Sequence, residues 1–327
     1  MLDPTRITED IERARRTYGG RDWPATFADR LTAPLPGFRD IARIMRSGGF
    51  GVQDLSPAAS IPVRAQQELP AVHSGQTDVT WIGHATFVVR IGGLTVLTDP
   101  VWSRKIPGVK ARLTPPGVPL SGVGKVDAVV ISHNHYDHLD GPTIRQLPRD
   151  TPLFVPAMLG SWFRRRDFTR VVELDWWESV RLGGVDFGFV PAHHWSRRTL
   201  TDSCRTLWGG WVFTSGDTTV YFAGDTGYGH WFSEIATHHP GIDLALLPVG
   251  AYEPNWFMKP VHMNPAEAVQ ACADLGAGRM ATMHWGTFVL SQEPLLDPLR
   301  RSVQAWEEAG RAREDLWDLA VGETRIM

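Results

Sequence analysis

The chain has 327 residues, 43% of them hydrophobic, and a formal net charge of −3 with histidine neutral. That is apolar material enough for one large domain with or without an extension, and it excludes a disordered chain. The missing basic excess argues against a grip on nucleic acid. The cysteines, Cys204 and Cys272, are too few for a disulfide framework or a thiolate metal site, so any metal falls to histidine and carboxylate.

The opening run, Met1-Leu2-Asp3-Pro4-Thr5-Arg6, leads into charged residues without the apolar stretch of a secretory signal. No segment reaches bilayer-spanning length, so a cytoplasmic protein is expected, with peripheral membrane contact as a further option. Residues 1–76 are rich in Pro, Gly and Arg and predict two short helices with little strand pattern. They read as an N-terminal extension packed on a core formed by residues 77–327. Within it, Phe38, Ile41, Ile44 and Met45 share one helical face while Arg39, Arg43 and Arg46 lie elsewhere. Such a helix either packs that face on the main domain, covers a substrate groove or lies on a membrane surface.

From residue 77 the pattern turns to strands at Val79 to Ile82, Thr86 to Ile91 and Leu94 to Thr98, the last two joined by the hairpin signal Gly92-Gly93. Val126 to Ser132 is β-branched and apolar and reads as a buried strand. It delivers His133, His135, Asp137 and His138 to a loop at its C-terminal end. Histidines two apart in an extended segment point to one side, so His133 and His135 can share one metal, and Asp137 and His138 can hold a second. Ligand-type side chains crowded this closely are hard to satisfy without a cation.

Further strands are predicted at 153–155, 185–190, 219–223, 244–247 and 280–283, with helices at 142–147, 231–238, 264–276 and 295–309. The third of these helices is well marked, with Asn264 as N-cap, Pro265 at the first position and Glu267 closing a capping box. This mixed order predicts a layered α/β domain. A metal pair needs more ligands than one loop supplies, and the strand tips carry them: Asp99 after 94–98, His193-His194 after 185–190, Asp225 after 219–223 and His284 after 280–283. Arg164-Arg165-Arg166 reads as a solvated helix face, with attraction of an anionic substrate as the other option, and Tyr252 and Glu253 read as packing residues.

Taken in this order from Trp81 to Phe288, the motifs resemble the metallo-β-lactamase superfamily. More narrowly, the chain resembles the branch containing the N-acylphosphatidylethanolamine-hydrolysing phospholipase D. That likeness is carried by Ser132 to Asp140, His194 to Leu200, Leu207-Trp208-Gly209, Phe222 to Tyr228, Gly250 to Pro254, Trp256 to Lys259 and His284 to Phe288. The resemblance implies a four-layer αββα sandwich with a dinuclear zinc site along one edge of the sheets. It implies that His133, His135 and His194 bind one zinc, that Asp137, His138 and His284 bind the other, and that Asp225 bridges them. It favours His194 over His193 as the ligand, and gives Asp99 the task of accepting a hydrogen bond from a ligand imidazole. His262, in a segment the narrower branch shares, is either a catalytic residue donating to a phosphoryl oxygen or leaving group, beside Asp137 and Asp225, or a structural histidine.

The chemistry expected of such a centre is hydrolysis by a metal-bridging hydroxide, with no serine or cysteine nucleophile. The leading expectation is a phosphodiesterase of the phospholipase D type acting on a lipid or small-molecule phosphodiester. The fourteen Trp and fourteen Phe residues are enough to line an apolar groove, although most are expected in the core. Alternatives are a lactonase or carboxylic ester hydrolase resembling the ascorbate-6-phosphate lactonase relatives, and a metal-binding sensor without turnover. A di-iron redox role is disfavoured, because the run from His133 to His138 lacks the substituted acid of the redox branch. Imidazole and carboxylate also accept iron or manganese.

Overall fold

The computed structural model describes residues 4–50, 54–73 and 75–327. One sheet is built from β1 (Asp78–Gly83), β2 (Thr86–Ile91), β3 (Leu94–Thr98), β4 (Ala128–Val130), β5 (Leu153–Pro156) and β6 (Val171–Leu174). The other contains β7 (Glu178–Leu182), β8 (Val185–Val190), β9 (Gly210–Ser215), β10 (Thr218–Phe222), β11 (Leu244–Pro248), β12 (Arg279–Met283) and β13 (Leu316–Trp317). The final strand, β14 (Thr324–Ile326), returns to the first sheet beside β1, so each sheet has seven strands, ordered β14-β1-β2-β3-β4-β5-β6 and β13-β12-β11-β10-β9-β8-β7. The helices are α1 (Pro4–Tyr18), α2 (Phe38–Arg46), α3 (Gly141–Ile144), α4 (Gly160–Arg164), α5 (Trp231–His238), α6 (Asn255–Met258), α7 (Pro265–Asp274) and α8 (Asp297–Glu308).

Strand alternation sorts the two faces of the first sheet. Phe87, Val89, Val130 and Phe154 join the main core with Phe187, Phe189, Trp211 and Phe213 of the second sheet, and the Phe154 and Phe187 rings meet at 4.9 Å. Val88, Val129, Leu153 and Val155 point the other way, against Ile144 of α3 and Phe163 of α4. The outer face of the second sheet is covered by α7, which packs on β11 and β12 and against α5 and α8. The result is helix, sheet, sheet, helix, with parallel β10, β11 and β12 reading as near-continuous buried apolar runs because both their faces are covered. The β2–β3 hairpin turns on Gly92 and Gly93 with φ of 57° and 78°, the pair of positive values that a type I′ hairpin turn requires. At α7, Asn264 Oδ1 accepts from the N–H of Ala266 and Glu267, and Glu267 returns a carboxylate oxygen to Asn264 N–H.

Two features differ from the sequence-based expectation. The first helix is longer than a short helix, fifteen residues, and buries Ile7, Ile11 and Ala14 across the β6 and β7 edges of the two sheets. Along α2 only Ile44 is buried; Phe38, Ile41 and Met45 are 88%, 42% and 65% exposed, so packing on the main domain does not absorb that face. Arg43 instead lies over the ring of Trp256 at 4.1 Å, and Phe50 meets Phe257 at 5.5 Å, which fixes α2 beside α6. Among the described residues no helix is long and apolar enough to cross a membrane.

Candidate metal centre

Four strands of the two sheets end at one edge, and each hands a ligand-type side chain to it. The loop after β4 carries His133, His135, Asp137 and His138; β8 leads to His194, β10 to Asp225 and β12 to His284. Tryptophan indoles tie these loop segments down. Trp211 Nε1 donates to Ile131 O at 2.9 Å, Trp208 Nε1 to Ala192 O at 3.0 Å and Trp81 Nε1 to His84 O at 2.8 Å. Gly224 is required at its position: with φ of 60°, a Cβ there would lie 2.5 Å from Ser132 Cβ, at the root of the histidine loop.

The side chains gather in two groups. His135 Nδ1 lies 2.8 Å from His133 Nε2 and 3.3 Å from His194 Nε2. Asp137 Oδ2 lies 3.5 Å from His138 Nε2 and 3.5 Å from His284 Nε2. Asp225 stands between them. Its Oδ2 is 3.1 Å from His138 Nε2, 3.8 Å from His194 Nε2 and 4.0 Å from His133 Nε2, and its Oδ1 is 3.1 Å from His284 Nε2.

Other hydrogen bonds settle which ring nitrogen faces inward. Asp99, fully buried, accepts from Ser132 N at 2.7 Å, Ser132 Oγ at 2.5 Å and His138 Nδ1 at 2.7 Å, leaving His138 Nε2 to face Asp225. His194 Nδ1 donates to Val261 O at 3.1 Å, which turns its Nε2 inward. This is how ligand imidazoles are commonly held. His193 points elsewhere, with Nδ1 2.8 Å from Thr32 Oγ1 and its ring against His230 and Trp231. Between the adjacent histidines, the structure therefore brings His194 to the cluster and keeps His193 out of it.

The protein alone does not satisfy this cluster. His138 Nε2, Asp225 Oδ1, both ring nitrogens of His284 and Nδ1 of His262 are buried without a hydrogen-bond partner. Burial would lower the pKa of His284, but Asp225 and Asp137 outweigh it and hold the imidazole at about 9. His138 is likewise held well above its ordinary value, against its burial, by Asp225 and Asp137. Burial pushes His133 and His194 well below theirs. Asp137 and Asp225, which burial alone would raise, are driven well below the usual carboxylate range chiefly by His138. Nitrogen and carboxylate donors with paired opposite charges and orphaned atoms aimed at one another fit one or two divalent cations.

His262 lies beside this group, its ring 5.2 Å from His194 and 5.5 Å from His284, and burial lowers its pKa to about 4. Tyr252 is buried and donates to Asp297 at 2.6 Å, a packing role, and Glu253 accepts from Asn255 N at 2.9 Å. Arg164 pairs with Glu173 at 2.6 Å and Arg166 stacks on Trp162 at 3.7 Å. Two residues come to the site that sequence reasoning did not place there. Arg198 lies over Tyr136 at 4.1 Å and donates to Asn134 O at 2.9 Å, bracing the histidine loop from outside. His84, from the turn between β1 and β2, joins Asp137, His138 and His284. The one signal for it was a lone histidine in a Gly-His-Ala turn between two strands, too little to separate it from a surface residue.

Residues 95–285 match the family model described as beta-lactamase superfamily domain. An uncharacterised protein of Mycobacterium tuberculosis is 42% identical over 268 residues, covering 77% of this chain and 69% of its own. The N-acyl-phosphatidylethanolamine-hydrolyzing phospholipase D 1 of Caenorhabditis elegans is 36% identical over 258 residues, 73% of this chain and 71% of its own. Among solved structures, Igni18, a metallo hydrolase from Ignicoccus hospitalis, superposes with a TM-score of 0.59 at 24% identity, covering 77% of this chain and 98% of that one.

Proposed function

From the chain's membership of the beta-lactamase superfamily, as a metal-dependent hydrolase of that fold, we propose that it is a dinuclear zinc phosphodiesterase of the N-acylphosphatidylethanolamine phospholipase D type. The observation that supports this reading best is the pairing of two ligand groups around Asp225, within 4.0 Å of His133, His138, His194 and His284. The name of the Caenorhabditis elegans relative supplies the substrate class.

In this reading His133, His135 and His194 hold one ion, Asp137, His138 and His284 the other, and Asp225 reaches both. When bound, such a pair supplies Lewis acidity and a water whose pKa falls towards neutrality. The protein's own groups do the rest. Asp99 and Val261 O keep the lone pairs of His138 and His194 turned inward. His262, neutral at pH 7, offers a ring N–H to a phosphoryl oxygen or the departing alkoxide. The exposed apolar face of α2, carried by Phe38, Ile41 and Met45, meets the acyl region of a lipid at a membrane surface.

The distinguishing experiment follows hydrolysis of bis(p-nitrophenyl) phosphate and of a simple lactone by the same zinc-loaded protein. Phosphodiester turnover that chelation removes and zinc restores is the expected result. Turnover of the lactone alone would transfer the assignment to the ester-hydrolysing relatives of this fold.

A further inference from the structure

His84 is held in place more firmly than a turn residue between β1 and β2 requires. Its φ of 56° lies in the left-handed region that side-chain-bearing residues rarely adopt. Three hydrogen bonds keep it there: its N–H donates to Thr287 Oγ1 at 2.7 Å, and its carbonyl accepts from Trp81 Nε1 at 2.8 Å and His284 N at 3.1 Å. The ring is buried, 4.0 Å from the His284 ring and edge-on to Phe288 at 5.3 Å. A conformation this over-determined at a cluster of functional side chains points to a requirement on where the ring sits.

That placement puts His84 Nε2 2.9 Å from Asp137 Oδ2. An ionised carboxylate only accepts hydrogen bonds, and His84 Nδ1 is buried without a partner, so the Nε2–H tautomer is the one that satisfies the contact with Asp137 in the metal-free protein. We propose that His84 is a positioning residue that donates Nε2–H to Asp137 and fixes the rotation of its carboxylate toward His138 and His284. The inference rests on the proposed metal centre and adds to it a residue outside the ligand set. Outer hydrogen-bond partners of this kind typically change metal affinity by about 10–100-fold when removed.

The test compares zinc affinity and the cobalt(II) absorption spectrum in wild type, His84→Asn and His84→Gln, with circular dichroism of each to confirm folding. Asn tolerates the left-handed backbone but is too short to reach Asp137, whereas Gln returns an amide N–H near the Nε2 position. The expected result is a loss of about 10–100-fold in affinity for one of two ions in His84→Asn, substantial recovery in His84→Gln, and no loss of nitrogen ligation in the cobalt spectrum. Unchanged affinity in His84→Asn would overturn the proposal. So would loss of a nitrogen ligand in both variants, which would make His84 a ligand itself. Wild-type protein that binds no metal would overturn the underlying centre, a failure visible before any variant is compared.

Discussion

Asp225→Asn is expected to lower hydrolysis by at least about 10³-fold, equivalent to about 4 kcal/mol of transition-state stabilisation, while the protein stays folded. Asp225 supplies one oxygen to His284 and the other to His138, and lies within 4.0 Å of His133 and His194 from the other group. The amide keeps the shape and removes the charge. Two buried imidazoles, His138 and His284, then lose the carboxylate that contributes most to keeping them protonated in metal-depleted protein. A cation pair held as proposed would lose the carboxylate that stands between the two ligand groups. Circular dichroism and metal content measured beside the kinetics separate loss of the centre from loss of the fold. Full activity in Asp225→Asn would refute a mechanism that depends on the carboxylate.

Trp211→Ala should destabilise the protein by about 3–5 kcal/mol, the range for truncating a buried aromatic. Trp211 has no exposed surface, stands in the core between the sheets with its ring 4.8 Å from Phe189, and donates Nε1–H across the interface to Ile131 O. Ile131 lies two residues before His133. The indole thus couples core packing to ligand placement, and the truncated variant should also bind metal more weakly. Trp211→Phe keeps most of the packing and leaves the Ile131 carbonyl without its donor, at a cost of about 1–3 kcal/mol. Urea midpoints at constant m-value measure both. A midpoint for Trp211→Ala equal to wild type would contradict the clamp.

Several of these relations were legible in the residue order because metal chemistry restricts what stands at a strand tip. His133 to His138, His194, Asp225 and His284 follow β-branched or apolar runs that end at one edge, and Asp99 follows β3 in the same way. The hairpin at Gly92-Gly93 and the cap at Asn264 were legible because each needs a particular residue for a local geometric reason. Other features depend on tertiary context. His84 acquires meaning from Asp137 and Thr287, neighbours 53 and 203 residues away. β7 is an edge strand with exposed alternate positions and is absent from the predicted strands. β9 has the apolar Trp211-Val212-Phe213 run of a buried strand, and its role in holding the histidine loop follows from the indole contact rather than from its composition. For α2 the amphipathic pattern was visible, but whether its apolar face is buried depends on what the fold brings to it.

The most direct test of the central claim is zinc titration into chelator-treated protein at several pH values between 6.5 and 9, read as stoichiometry and affinity. Asp225 and Asp137 hold His284 at about 9 against its burial, so below that pH a cation must displace its proton. Affinity should therefore tighten as pH rises through this window, by about tenfold per unit for each proton displaced. The expected result is two ions per chain with uptake that strengthens toward pH 9. Absence of specific zinc binding, or binding of fewer than two ions with no dependence on pH, would contradict a dinuclear centre built around Asp225.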